Sequence, residues 1–182
     1  MKFMRPYFWF LFSILIFPIS ASAQDEKPSL SVYFFLAEDC VICQQYTSYL
    51  NTLFEEYAGE EVEMIGYFPN SFSKQQKIAA FQKKYQVAMP LKTDYFQTKA
   101  QQFQIRVTPE VVVYDHTQQK VLYQGRIDNT FYQLGRRRRV TTEHDLEDLL
   151  KAWRNGEEIT PTQTEPIGCL ITKKKNSNTN HQ

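Results

Sequence analysis

Histidine and cysteine are scarce, with three of each in 182 residues. The histidines, His116, His144 and His181, are scattered, and structural zinc would need a second ligand pair. Charge of one sign is not in excess either. Twenty-one basic residues stand against 20 acidic ones, a net of +1. That balance argues against nucleic acid as the main partner. There are no internal repeats. The apolar run from Tyr7 to Phe17 is short of the roughly 20 residues a membrane helix needs.

That run has another reading. Lys2 and Arg5 precede it, and Pro18 and Ala21-Ser22-Ala23 follow. Basic, apolar and A-x-A segments in that order predict a secretory signal peptide over residues 1–23, cut after Ala23. No cysteine lies at the cut, so nothing suggests a lipoprotein. Loss of Lys2 and Arg5 moves the net charge from +1 to −1. Export to the periplasm or beyond places Cys40, Cys43 and Cys169 where disulfides persist, and an odd number leaves one thiol over.

The mature chain alternates. Leu30 to Ala37 is almost continuously apolar, the pattern of a strand buried on both faces. Tyr46, Tyr49, Leu50, Leu53, Phe54 and Tyr57 then recur at helical spacing, stopped by Gly59. "VEMIGYF" predicts a second strand. A helix follows, with Ser73 as cap and Ile78, Phe81 and Tyr85 inside. "VAMPLKTD" is extended, and Asp94 caps a short helix through Phe96, Ala100 and Phe103. "EVVVYD" and "VLYQGRI" form a hairpin around "HTQQK". The last helix is capped by Thr142 and buries Leu146, Leu149, Leu150 and Trp153. The order predicts an α/β domain over 28–159, parallel at first, with the hairpin as an antiparallel edge. Residues 160–182 form a tail containing "IGCLI", with a disordered end.

"AEDCVICQQY" places Cys40 and Cys43 where the buried strand hands over to the helix. Free backbone N–H groups and the helix dipole stabilise a thiolate there. The spacing lets the sulfurs meet, Cys40 exposed and attacking, Cys43 shielded and resolving. Haem attachment would need a histidine at Gln44. A redox dithiol, an inert structural disulfide and a metal site all remain open on these residues. The second signal is Thr108-Pro109 just before "EVVVY", read as a cis-proline loop at a strand start.

Together, "AEDCVIC" and "VTP" resemble the thioredoxin superfamily. The extra helix between the second and third strands resembles the exported redoxin branch of TlpA, ResA and AhpC/TSA type. "YQGRID" and the G-C-x-I tail are similar to such exported proteins, so the likeness spans about residues 30 to 171. It implies a thioredoxin-like fold, a mixed central sheet flanked by helices. It also implies thiol–disulfide exchange by Cys40 and Cys43, without metal or organic cofactor. Thr108 and Pro109, with Val41 and Ile42, would meet an extended protein substrate by strand addition. Protein thiols or disulfides and a membrane-delivered reductant or oxidant would be the partners.

Some positions depart from the family. Asp39 replaces the usual Trp, Phe34 the buried acid of thioredoxins, and Tyr46 the Glu of TlpA-like reductases. Glu38, Asp39 or Glu110 would then carry the proton. Tyr33 and Ala37 occupy the Pro and Thr positions of the peroxiredoxin motif, which predicts poor peroxide reduction. Val41-Ile42 brings no charge and the flanking acids oppose a thiolate, so an ordinary Cys40 pKa and a reducing couple are expected. Cys169 reads as a third redox thiol, a link to another chain or a packed thiol. Arg136 to Arg139 read as a solvated loop, His116 as exposed, Phe96, Phe103 and Trp153 as core, and Arg126 and Asp128 as a structural ion pair. Two rival functions stand beside the exchange reading: a copper or apo-cytochrome carrier using Cys40, Cys43 and Cys169, and a peroxidase-like redoxin.

Overall fold

The computed structural model describes residues 28–172. The expected signal peptide and the chain end from residue 173 lie outside them.

Strand β1 (Leu30–Phe35) is buried along its whole length, and its alternation feeds two cores. Leu30, Val32 and Phe34 face one cluster, and Tyr33 and Phe35 face the other. This is the two-sided burial that the continuous apolar run implies. Helix α1 (Val41–Tyr57) lays Tyr46, Leu50, Leu53 and Tyr57 on the first cluster. Burying each such side chain contributes about 1.5–3 kcal/mol. β2 (Val62–Phe68) pairs parallel with β1. α2 (Gln75–Tyr85), β3 (Leu91–Thr93) and α3 (Thr98–Gln102) follow. Ile78 and Phe81 of α2 join the first cluster, while Ala100 of α3 and the following Phe103 cover the second.

β4 (Val107–Thr108) is a two-residue strand, and Pro109 separates it from β5 (Glu110–Asp115). β5 pairs antiparallel with β1 and with β6 (Lys120–Gly125). β7 (Phe131–Gln133) and β8 (Arg136–Arg137) make a small hairpin before α4 (Asp145–Arg154). Leu146, Leu149 and Leu150 close the first cluster, as their spacing predicts. The tail then adds β9 (Thr162–Gln163) and β10 (Cys169–Leu170). The main sheet runs β3-β2-β1-β5-β6-β9. It is mixed and flanked by helices, the expected class. Among the described residues no helix is long and apolar enough to cross a membrane.

Several local expectations are corrected. β6 is not the sheet edge, because β9 pairs parallel outside it. Ser73 is no cap; α2 begins at Gln75, and the Ser73 hydroxyl instead donates to Glu38. Thr142 lies too far from α4, which starts at Asp145, and binds Asn129. Asp94 does cap α3, accepting from the Lys99 and Ala100 amides. Phe96 is exposed rather than core, while Phe103 is buried and Trp153 is partly buried against the core. His116 is half-buried and hydrogen-bonded to Ser31 at 2.8 Å. Arg126 pairs with Asp145 and Glu143 rather than Asp128, which accepts from Tyr46. Arg136 and Arg137 are exposed, but in a short strand rather than a loop.

Candidate redox site

Strand β1 runs straight into the site. After Ala37 the chain turns, the Cys40 amide donating to the Ala37 carbonyl at 3.3 Å. Cys40 itself is the N-cap of α1, extended at φ −81° and ψ 114°, and its carbonyl accepts from Gln44 N–H at 3.0 Å. Its sulfur therefore lies at the end of the helix where backbone N–H groups lack partners. Cys43 is one turn in, and its sulfur accepts from the Ala37 amide at 3.4 Å.

From the other side comes the β4–β5 junction. The Thr108–Pro109 peptide bond is cis. The Thr108 carbonyl faces Cys40 at 3.2 Å and accepts from its thiol in the protonated form. A third contact was only an alternative in the sequence. β10 pairs antiparallel with β4, Cys169 opposite Thr108 and Leu170 opposite Val107. That pairing carries the Cys169 thiol to 2.8 Å from the Cys40 sulfur, as donor. The three cysteines are free thiols.

Two expectations fail here. Cys40 is not exposed; it is as buried as Cys43, and Cys169 lies against its sulfur. Nor is its acidity ordinary. The Cys43 hydrogen bond, opposed by burial and helped by Cys169, draws the Cys40 pKa down to about 5. Burial and the Cys40 charge push Cys43 well up. Burial first, then the bond to Cys40, pushes Cys169 to about 12. One thiolate with two proton-holding neighbours is the resulting arrangement. The helix end and the flanking side chains are what the sequence offers for this value, whereas the donors are the other two thiols.

The remaining candidates scatter. Val41 is 59% exposed beside the site, but Ile42 is 3% exposed and belongs to the core. One helical step turns it away, so it is not available to a substrate. Asp39 is exposed. Glu38 accepts from Ser73 and lies 3.8 Å from Lys77, with its other oxygen buried and without a hydrogen bond. Glu110 accepts from Gln124 at 2.8 Å and from the Arg106 amide at 3.5 Å, and burial raises its pKa. Their hydrogen bonds thus hold Glu38 and Glu110 to other elements. Gly168 is the residue the sequence did not single out. A Cβ there would lie 2.2 Å from the Thr108 carbonyl oxygen, so only glycine permits β10 to approach this closely. Among the described residues, no group of three or more His, Cys, Asp or Glu is placed to hold a metal ion.

A thioredoxin-like sheet with a cysteine pair at a helix start and a cis-proline beside it defines the class of protein. The chain belongs to the AhpC/TSA family, whose model matches residues 18–124. The match includes the cysteine pair and Pro109 and stops short of the tail. A hypothetical protein from Sinorhizobium meliloti 1021 is similar in structure, with 22% identity, 84% of each chain covered and a TM-score of 0.72. An uncharacterized conserved protein from Geobacillus kaustophilus shares 19% identity over 84% of this chain and 81% of that one, at a TM-score of 0.68. A putative thioredoxin from Neisseria meningitidis shares 16% identity over 72% and 79%, at 0.52. At these identities the likeness is one of fold. No curated protein matches the chain.

Proposed function

We propose that this protein is a thiol–disulfide oxidoreductase that acts on protein substrates outside the cytoplasm, after loss of residues 1–23. The observation that carries the reading is the meeting of Cys40, Cys43 and the Thr108 carbonyl at the start of α1.

The Cys40 thiolate attacks one sulfur of a substrate disulfide, and the other leaves as a thiol after taking a proton. A mixed disulfide now joins Cys40 to the substrate. Cys43 loses its proton, attacks the Cys40 sulfur and expels the second substrate thiol. Two electrons have passed from the protein to the substrate, and a Cys40–Cys43 disulfide remains. A membrane-delivered reductant restores the dithiol; the reverse sequence oxidises substrates. Thr108 and Pro109 shape the groove that takes an extended segment, with exposed Val41 at its rim. No metal or organic cofactor takes part. The absence of the Pro and Thr of the peroxidatic motif, at Tyr33 and Ala37, favours exchange over peroxide reduction.

The test is differential alkylation and peptide mass mapping across a series of dithiothreitol ratios. A Cys40–Cys43 disulfide that titrates as one reversible two-electron couple is expected, together with reduction of insulin disulfides. A pair that never opens under mild reductant is merely structural and ends the proposal. Tight stoichiometric Cu(I) binding without reductase activity favours the carrier reading, and catalytic consumption of peroxide the peroxidase one.

A further inference from the structure

The groove assigned to the substrate is already filled by this chain. β10 adds to β4 as an antiparallel strand, with Cys169 opposite Thr108. The pairing continues past β10, where the Ile171 amide donates to the Arg106 carbonyl at 2.9 Å. Two buried side chains secure the end: Gln97 donates to the Thr172 carbonyl at 2.8 Å, and Asn70 accepts from the Thr172 amide at 2.9 Å. Gly168 gives the approach its closeness. Five consecutive residues thus do what a bound peptide would do, and one of them is a cysteine whose sulfur touches Cys40.

Resting on the oxidoreductase reading, we propose that residues 168–172 are a tethered substrate mimic and that Cys169 is a redox thiol that forms a disulfide with Cys40. The step needs no outside oxidant once Cys40–Cys43 exists. Cys169, as thiolate, attacks the Cys40 sulfur; the Cys40–Cys169 bond forms, the Cys40–Cys43 bond breaks, and Cys43 leaves with the electron pair and takes a proton. No electron is gained or lost overall. The step belongs to the oxidised protein. While Cys40 is a thiolate, Cys169 holds its proton and donates to it. When the Cys40 sulfur enters a disulfide that charge is gone, and of the two main causes that hold the Cys169 proton only burial remains. An external substrate must displace the segment to pair with Thr108, so the tail sets which substrates gain access.

The test uses the mature full chain carrying Cys43→Ala, treated with glutathione disulfide, quenched in acid, alkylated and mapped. Glutathione first caps Cys40. Cys169 then displaces it, releasing one glutathione and leaving an intramolecular Cys40–Cys169 disulfide. A lasting glutathione adduct on Cys40 with Cys169 alkylated overturns the proposal. Adding Gly168→Ala should slow the cross-link by about tenfold, the ratio that about 1.4 kcal/mol of lost docking gives; an unchanged rate overturns the role of the docked strand. The unsubstituted chain, oxidised and left to equilibrate, must show a Cys40–Cys169 fraction beside Cys40–Cys43, and its absence also overturns the proposal. A Cys169→Ala chain separates the two readings. If it retains a reversible Cys40–Cys43 couple while the cross-link fails, only the tail's role falls. If it has no such couple, the oxidoreductase reading falls.

Discussion

Tyr46, three residues after Cys43, donates its hydroxyl to a carboxylate oxygen of the buried Asp128. The same oxygen accepts from the Thr130 amide at 2.7 Å, and the Tyr46 ring packs edge-on to Phe131 at 5.3 Å. The contact ties the helix that carries the cysteines to the loop after β6. Tyr46→Phe keeps the packing and takes one donor from a buried carboxylate. The expected cost is about 1–3 kcal/mol, read from urea unfolding at pH 7. A change within experimental error would mean that the pair does not brace the helix.

The Cys40 thiolate should be visible in the reduced protein by its ultraviolet absorbance, with a titration midpoint of about 5. The hydrogen bond from Cys43 is the largest cause of that value. Cys43→Ala should therefore raise the midpoint. A midpoint unmoved by Cys43→Ala would place the cause elsewhere, with the Cys169 thiol as the next candidate.

The donor from Cys169 also stabilises the reduced form. Replacing Cys169 with Ala should make the Cys40–Cys43 couple more reducing, by about 30 mV for each 1.4 kcal/mol of lost stabilisation. Equilibration against dithiothreitol gives the value. A shift in the oxidising direction contradicts the arrangement of donors.

Glu110 supplies a pH signature of the fold. Burial raises its pKa above the ordinary 4.5. A raised folded value means that its contribution to stability is present below the unfolded pKa and is lost as pH rises through the folded one. Glu110→Gln removes that loss, so the variant should gain on the parent as pH rises from the ordinary value of 4.5 through the raised one. Parallel unfolding free energies for the two proteins over this range would refute it.

Gly125 has φ +152°, and a Cβ there would lie 2.3 Å from the Thr164 carbonyl oxygen. Gly125→Ala combines an unfavourable backbone with a collision against the root of the tail. A loss of about 1–3 kcal/mol is expected, with faster proteolysis between residues 156 and 172. Unchanged cleavage there would show that the tail is held without this contact.

Much of the molecule can be read from residue order. β1, α1 and the buried Leu face of α4 declare themselves through period and apolar content, because local backbone geometry alone decides which positions face inward. Asp94 shows its capping role for the same reason. The errors share a different cause. Ser73, Thr142 and His116 are polar residues whose partners, Glu38, Asn129 and Ser31, are remote in sequence. The Cys40 environment is the strongest case. Its pKa depends on Cys169, 129 positions away, and on a backbone pairing of a few residues too short for any periodicity to betray. Gly168 carried the clue as half of a Gly-Cys pair, but its meaning depends on the Thr108 carbonyl against which it lies.

The stretch that reaches the cysteines also covers an edge. β9 lies along β6 at Tyr123 and Gln124, where the sheet would otherwise present unpaired N–H and C=O groups. A chain cleaved after Ile159 would thus lose its third cysteine and uncover an adhesive border at the same time. Proteolytic trimming of the tail would leave a molecule prone to self-association, its sheet open to strands from other copies.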